Sequence, residues 1–247
     1  MTALVALTER VVISTTRDRD ILFAVLAPVV TYVGFTLVLQ NVINTGDMSY
    51  AQYVLPAVVV QAMLLGAMTT AERAAKDQRA EFGVRLRTLP IPTVLPLAAR
   101  MLYCLLRGVL ALLAAIATAY VFGFRMQGGL GYGLAFVVVA LTLTLALSLA
   151  ADAVGSLGWQ LDSASQLLLV PQLLLVLLST GMAPAEAFPD WIEPFVGHQP
   201  VSVVTETLRG FAGGHADPGN VAATMAWCVG MLLVFGAIAV RLQRRTR

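Results

Sequence analysis

Glu206 and Arg209 stand three residues apart in the stretch FPDWIEPFVGHQPVSVVTETLRGFAGG, residues 188–214, which also carries Asp190, Glu193 and His198. In a helix beginning near Pro200, a favourable first-turn residue, that spacing puts carboxylate and guanidinium on one face. The pair has two readings. It is a local surface ion pair worth about a few tenths of a kcal/mol, or it holds a half-inserted helix at fixed depth beneath the outer leaflet of a membrane. Trp191 and Phe195, four residues apart, can share one face and suit an aromatic belt at a membrane interface. The segment is too polar to cross a bilayer and too apolar for an ordinary loop. Its prolines divide it into two short helices, residues 187–196 and 200–212, meeting at 197–199. About 12 residues at 1.5 Å each reach about 18 Å, enough to dip into a leaflet but not to cross.

Catalytic chemistry finds no other footing. The single lysine, Lys76, lies between Ala75 and Asp77, so a phosphate-binding G-x-x-x-x-G-K-[ST] loop is impossible in this chain. There is no HExxH motif, no G-x-S-x-G elbow and no plausible Cys–His pair. Two cysteines, Cys104 and Cys228, both within apolar runs, and two histidines, His198 and His215, are too few for a thiolate or imidazole metal site. The cysteines read as small buried residues. The chain is therefore not expected to be an enzyme by itself, nor to hold a metal or cofactor.

The elements that must position these residues are membrane spans. The chain has 247 residues, 58% hydrophobic and 12% charged, with a mean hydropathy of +0.81. A soluble domain carries roughly a quarter charged residues. The apolar residues come in long runs, uncharged but for Arg107, near 21–43, 50–71, 101–122, 130–151, 163–180 and 221–240. Each is close to the roughly 20 residues needed to cross about 30 Å of hydrocarbon. The expectation is an all-α membrane protein with six transmembrane helices, forming a single domain over residues 1–247. Residues 1–20 lack the continuous apolar core of a cleavable signal. Leu4, Leu7 and Val11 recur there at helical spacing, with Glu9, Arg10 and Arg17 elsewhere, which reads as an amphipathic helix at the membrane interface.

Basic residues orient the spans. One side receives Arg10, Arg17 and Arg19, then seven residues from Arg73 to Arg107, then the four arginines from Arg241 to the end; the other receives only Arg125 and Arg209. By the positive-inside rule both termini are cytoplasmic, in the plasma membrane, and residues 188–214 face outward. Arg107, about two turns inside the third span, is expected to snorkel to the headgroups. No Asp, Glu or His falls near the centre of a span, where an ion-coupled transporter usually places them. Pro28, Pro56 and Pro171 could kink the first, second and fifth spans, which keeps an ion-coupled secondary multidrug transporter as the alternative. Tyr32, Phe35 and Thr36, Gln61, and Gln172 are polar or aromatic interruptions of those same spans. Interhelix hydrogen bonding is the commoner fate of such a glutamine.

The stretch AERAAKDQRAEFGVRLRTLPIPTVLPLAAR between spans two and three is the most charged of the chain. It reads as a charged helix, a break at Gly83, and a short VRLRTL element stopped by Pro90 and Pro92. Arg85 and Arg87 flank Leu86, making a basic and apolar knob. The knob is either a docking element or a solvated linker whose arginines set topology and touch anionic headgroups.

At this loop and at residues 181–210 the sequence resembles type-2 ABC exporter permeases, especially the daunorubicin-resistance-type permeases of actinobacteria. The loop carries Glu81, Gly83, Leu86, Arg87 and Pro90, with Arg100 downstream. The later segment carries Gly181, Pro184, Pro189, Trp191, Gln199, Pro200, Val201, Leu208, Arg209 and Gly210. The resemblance covers the chain end to end. It implies a half-permease that pairs with an identical or related second permease, while ATP and Mg bind a separate ATP-binding subunit. It implies that this subunit docks on a coupling helix comprising Arg79, Glu81, Phe82, Gly83, Arg85, Leu86, Arg87, Leu89 and Pro90. The amphipathic N-terminus would touch it too. It implies a path between permeases lined by the first, second and fifth spans, hence Tyr32, Phe35, Thr36, Gln61 and Gln172. Trp191, Phe195, Gln199, Pro200, Glu206 and Arg209 would then form a re-entrant hairpin capping the exit. The implied cargo is an amphipathic lipid or hydrophobic drug leaving the cell; membrane lipids are partners, and nucleic acid is not.

Overall fold

The computed structural model describes residues 20–40, 48–79, 94–156, 161–181 and 188–245, and among these described residues there are eight helices. They are α1 (Asp20–Leu39), α2 (Tyr50–Arg79), α3 (Val94–Val121), α4 (Gly129–Gly155), α5 (Leu161–Leu177), α6 (Glu193–His198), α7 (Pro200–Ala212) and α8 (Pro218–Arg245). Among the described residues there is no strand. Five of the helices among the described residues, α1 to α4 and α8, are long and apolar enough to cross a membrane. α5 has 17 residues, about 25 Å of helix, at the lower limit for a crossing. The residues before 20 and those at 80–93, which carry the interface helix and nearly all of the coupling segment read from sequence, lie outside the described residues.

The helix ends are written locally. α2 begins after Ser49, whose Oγ accepts from the Gln52 amide at 3.3 Å. α8 begins with Pro218 behind Asp217, whose carboxylate accepts from the Asn220 amide at 3.0 Å. α3 stops at Gly123, held at φ +91°, a conformation that a side chain would oppose. There the Phe124 amide reaches back to the Ala119 carbonyl and the Gly123 amide to the Tyr120 carbonyl, a Schellman ending. α7 ends the same way, with Gly214 at φ +77° and the His215 amide on the Gly210 carbonyl. The Gln127 amide then donates to the Ala212 carbonyl, tying the turn between α3 and α4 to the end of α7.

α2 is the hub: it packs against α1, α3, α4, α5 and α7. Its buried face runs through Val54, Leu55, Val58, Val59 and Met63. α4 is its principal partner and carries α8 on its other side. The two approach closely where residues are small, at Ala67, Ala71 and Ala151, the arrangement that lets membrane helices gain dispersion contacts. Gly155 marks the tightest point, since a Cβ there would lie 2.2 Å from the Ala71 carbonyl oxygen. Gly155→Val is therefore expected to push α4 off α2 and cost about 3 kcal/mol or more. Thermal unfolding in detergent checks this; an unchanged midpoint would contradict the close approach.

Candidate functional site

The described chain concentrates its polar chemistry at the two ends of α2, separated along the helix by the apolar stretch between Tyr53 and Arg73. At the Tyr53 end, all of α7 except Pro200 and Glu206 is buried, enclosed by α2, α4 and α8. Gln199 precedes it and is itself buried. Its Nε2 donates to the Leu175 carbonyl at 3.1 Å, to the Leu178 carbonyl, and to Ser202 Oγ at 3.2 Å. The Thr180 amide donates to Ser202 Oγ at 3.0 Å. A helix leaves its last carbonyls unpaired, so the side chain of Gln199 finishes α5, while Ser202 Oγ takes the Thr180 amide just beyond it. Pro200, which has no amide hydrogen to lose, then starts α7.

Arg209 locks the other end of α7. Its Nη1 donates to Glu206 Oε1 at 2.5 Å, and its Nη2 to the Thr180 carbonyl at 3.2 Å and the Tyr53 carbonyl at 3.4 Å. The guanidinium lies 3.8 Å from the centroid of the Tyr53 ring, within cation–π range. The Tyr53 hydroxyl donates to the same Thr180 carbonyl at 2.9 Å. One planar cation thus joins α7, the start of α2 and the segment after α5. Arg209 is 6% exposed, whereas the Glu206 side chain is 36% exposed. The local surface pair is only the outer edge of a buried clamp. α7 is further bound to α8 by the hydroxyls of Thr207 and Thr224, 2.8 Å apart. Trp191 and Phe195 extend outward, 81% and 55% exposed.

At the opposite end of α2, charges from four helices meet. Arg73 of α2 contacts Asp20 Oδ2 of α1 at 3.2 Å, and Arg107 Nε of α3 contacts Asp20 Oδ1 at 3.4 Å. The Tyr103 hydroxyl donates to the same carboxylate at 3.0 Å, and Arg73 lies over the Tyr103 ring. Beside them, Arg100 of α3 grips the fully buried Asp152 of α4 through Nε at 2.7 Å and Nη2 at 3.2 Å. Asp77 of α2 completes this group at 3.4 Å from Arg100. Arg107 is buried, with Asp20 as its partner at the mouth of α1.

The remaining candidates separate by burial. Tyr32 is fully buried, with its hydroxyl on the Ala51 carbonyl at 2.9 Å; Thr36 is buried one turn further on. Both pack the interior of this chain and line no surface of it. Phe35, Gln61 and Gln172 are half-buried, and neither glutamine side chain makes a hydrogen bond among the described residues. Glu81, Phe82, Gly83, Arg85, Leu86, Arg87, Leu89 and Pro90 lie outside the described residues, as does the side chain of Arg79. Both cysteines are free and buried. Among the described residues no group of three or more His, Cys, Asp or Glu is placed to hold a metal.

Sequence reasoning missed Asp20, Tyr53, Asp152, Thr180 and Ser202, took Arg73 for a topology charge, and gave Arg100 as a topology charge and as the downstream end of the coupling-loop pattern. A signal was present: Asp20 and Asp152 flank apolar runs directly, where a carboxylate at the edge of a span invites pairing.

Comparison with known proteins agrees with this architecture. A family model described as ABC-2 type transporter matches residues 2–211. The chain is 32% identical over 220 residues to the doxorubicin resistance ABC transporter permease protein DrrB of Mycobacterium tuberculosis, covering 86% of this chain and 75% of that protein. It is 28% identical over 229 residues to the probable doxorubicin resistance ABC transporter permease protein DrrC of the same organism, covering 92% and 83%. To the daunorubicin resistance ABC transporter permease protein DrrB1 of Streptomyces coeruleorubidus it is 26% identical over 223 residues, covering 89% and 78%.

Proposed function

We propose that this chain, which belongs to the ABC-2 type transporter family, is the membrane-spanning permease subunit of an ATP-driven exporter of amphipathic drugs or lipids. ATP and Mg would bind a separate ATP-binding chain, since this sequence has no phosphate-binding loop. A second permease, identical or related, would complete the pore. The relatives named for doxorubicin and daunorubicin resistance make hydrophobic drugs the first cargo to test, and lipids the second.

The observation that carries the mechanism is α2. It is one helix of 30 residues, clamped by Arg209 at Tyr53 and anchored by Asp20 and Arg100 at Arg73 and Asp77. Tyr53 and Arg73 stand about 30 Å apart along it, the thickness of a bilayer's hydrocarbon core. Just past Arg79 comes the coupling segment, Glu81 to Pro90, on which closure of the ATP-binding subunits would push. α2, which runs continuously through Pro56, would carry that displacement toward α7. In this reading α5 is the fifth of six spans and α8 the sixth, α6 and α7 form a re-entrant hairpin capping the outward exit, and both termini are cytoplasmic. The bonds that finish α5 and bury α7 support it, because polar backbone at membrane depth must be satisfied within the protein.

Arg85 and Arg87 are the coupling residues to change. Reversing both charges, Arg85→Glu with Arg87→Glu, is expected to reduce co-purification of the ATP-binding subunit by about tenfold or more, with membrane insertion unaltered. Normal assembly of that double variant would place the docking surface elsewhere.

A further inference from the structure

Between α2, α3 and α4, inside the bundle, lies a cavity of about 10 Å³, enough for about one water molecule. Two glycines open it, Gly66 of α2 and Gly108 of α3. A Cβ on Gly66 would stand 2.6 Å from Arg107 Nη1, and one on Gly108 would stand 2.9 Å from Thr144 Cγ2. An apolar space of this size would stay dry. This one is lined by Thr70, Cys104, Arg107, Thr144 and Ser148, so it has the polar partners that a buried water needs.

The hydrogen bonds around it leave a gap. Thr70 Oγ1 donates to the Gly66 carbonyl at 2.9 Å and lies 3.2 Å from Cys104 Sγ. Thr144 Oγ1 donates to the Ala140 carbonyl at 2.8 Å and leans on Met63 Sδ at 2.6 Å. A hydroxyl whose proton is committed still has lone pairs to offer. Arg107 has the opposite need. Its charge is answered by Asp20 across a 3.4 Å contact at Nε, but that nitrogen makes no hydrogen bond, and the two terminal nitrogens donate none among the described residues. The residue is 8% exposed. A buried N–H without an acceptor is costly, more so on a charged group, and lipid supplies no acceptor in place of water.

We propose that this cavity is a hydration site. One water molecule accepts from Arg107 Nη1 and donates to the hydroxyl oxygens of Thr144 and Ser148, joining α3 to α4 beside α2 where the side chains make no direct bond. Thr70, Cys104 and Arg107 also line a larger cavity of about 660 Å³ between α1, α2 and α3 at the Arg73 end, so water reaches the site from that side. The arginines and Lys76 around the larger cavity are matched by Asp20, Glu72, Asp77 and Asp152. An uncharged ligand therefore suits the site.

Hydroxyl-radical footprinting by X-ray radiolysis of the full chain in detergent, read by mass spectrometry, tests this, because radicals born from a bound water oxidise the side chains around it. Met63 is the reporter: it is 2% exposed and lines this cavity but not the larger one. Met101, 9% exposed and lining neither, is the control. Met63 is expected to oxidise faster than Met101 despite its deeper burial. Gly66→Ala, whose added methyl fills the cavity, should bring Met63 down to the Met101 rate or below. Thr144→Val keeps the size of the side chain and removes its hydroxyl. It should slow Met63 oxidation as well, and carries the test should Gly66→Ala fail to fold. A Met63 rate no higher than that of Met101 in wild type, or one unchanged in either folded variant, would overturn the proposal. The measurement needs neither ATP nor a partner, so its failure leaves the exporter assignment standing, and the reverse holds as well.

Discussion

Arg209→Met is expected to lower stability by about 3 kcal/mol and to abolish export. The side chain makes charge-assisted hydrogen bonds to two carbonyls and to Glu206, and stacks on Tyr53. Such bonds contribute about 1.5–3 kcal/mol each and are not additive. Arg209→Lys should recover little, because an ammonium on a flexible stem cannot reach three oxygens in one plane while lying over a ring. Glu206→Gln should cost less than about 1 kcal/mol, since that carboxylate is more than a third exposed and screened. Thermal unfolding of the three variants in one detergent separates the possibilities. If Glu206→Gln matched Arg209→Met, the ion pair alone would matter, and the tie to α2 and residue 180 would be incidental.

Arg100→Met should be still more damaging, by about 3–5 kcal/mol, because it strands Asp152 as a buried, unpaired carboxylate. Against a total stability of about 5–15 kcal/mol, little folded protein would accumulate. Asp152→Asn should be milder, since Arg100 keeps Asp77 at the water-exposed edge. The double change Arg100→Met with Asp152→Leu should be more stable than Arg100→Met alone, because removing both charges also removes the cost of burying them. Monodisperse yield on size exclusion, with the unfolding midpoint, reads this directly. A double variant as weak as the summed singles would show that the arginine and the aspartate act independently.

The helical character of the apolar runs is legible because lipid rewards unbroken hydrophobicity over a fixed length. Hydropathy marks where lipid ends, not where the helix ends: α2 continues to Arg79 through eight residues past the run ending near 71, and α3 starts at Val94, ahead of the run at 101. These extensions carry Arg73, Asp77 and Arg100, so the residues that tie the helices together sit where an apolar pattern is silent. The Glu206–Arg209 spacing is visible in sequence, but the reach of Arg209 to a carbonyl 156 residues away is a property of packing. The same holds for Asp20, whose partners Arg73, Tyr103 and Arg107 come from two other helices. Gln199 gives the clearest lesson. A glutamine before a proline is an unremarkable turn signal until the carbonyls of α5 arrive in front of it.

The exporter assignment stands or falls on reconstitution of this chain with its ATP-binding subunit in sealed vesicles, following doxorubicin movement with ion gradients collapsed by ionophores. Movement that requires ATP, persists without any gradient, and disappears in the Arg85→Glu, Arg87→Glu double variant is the expected result. Movement that ignores ATP and stops when the gradient is collapsed would contradict it, and would identify an ion-coupled transporter instead.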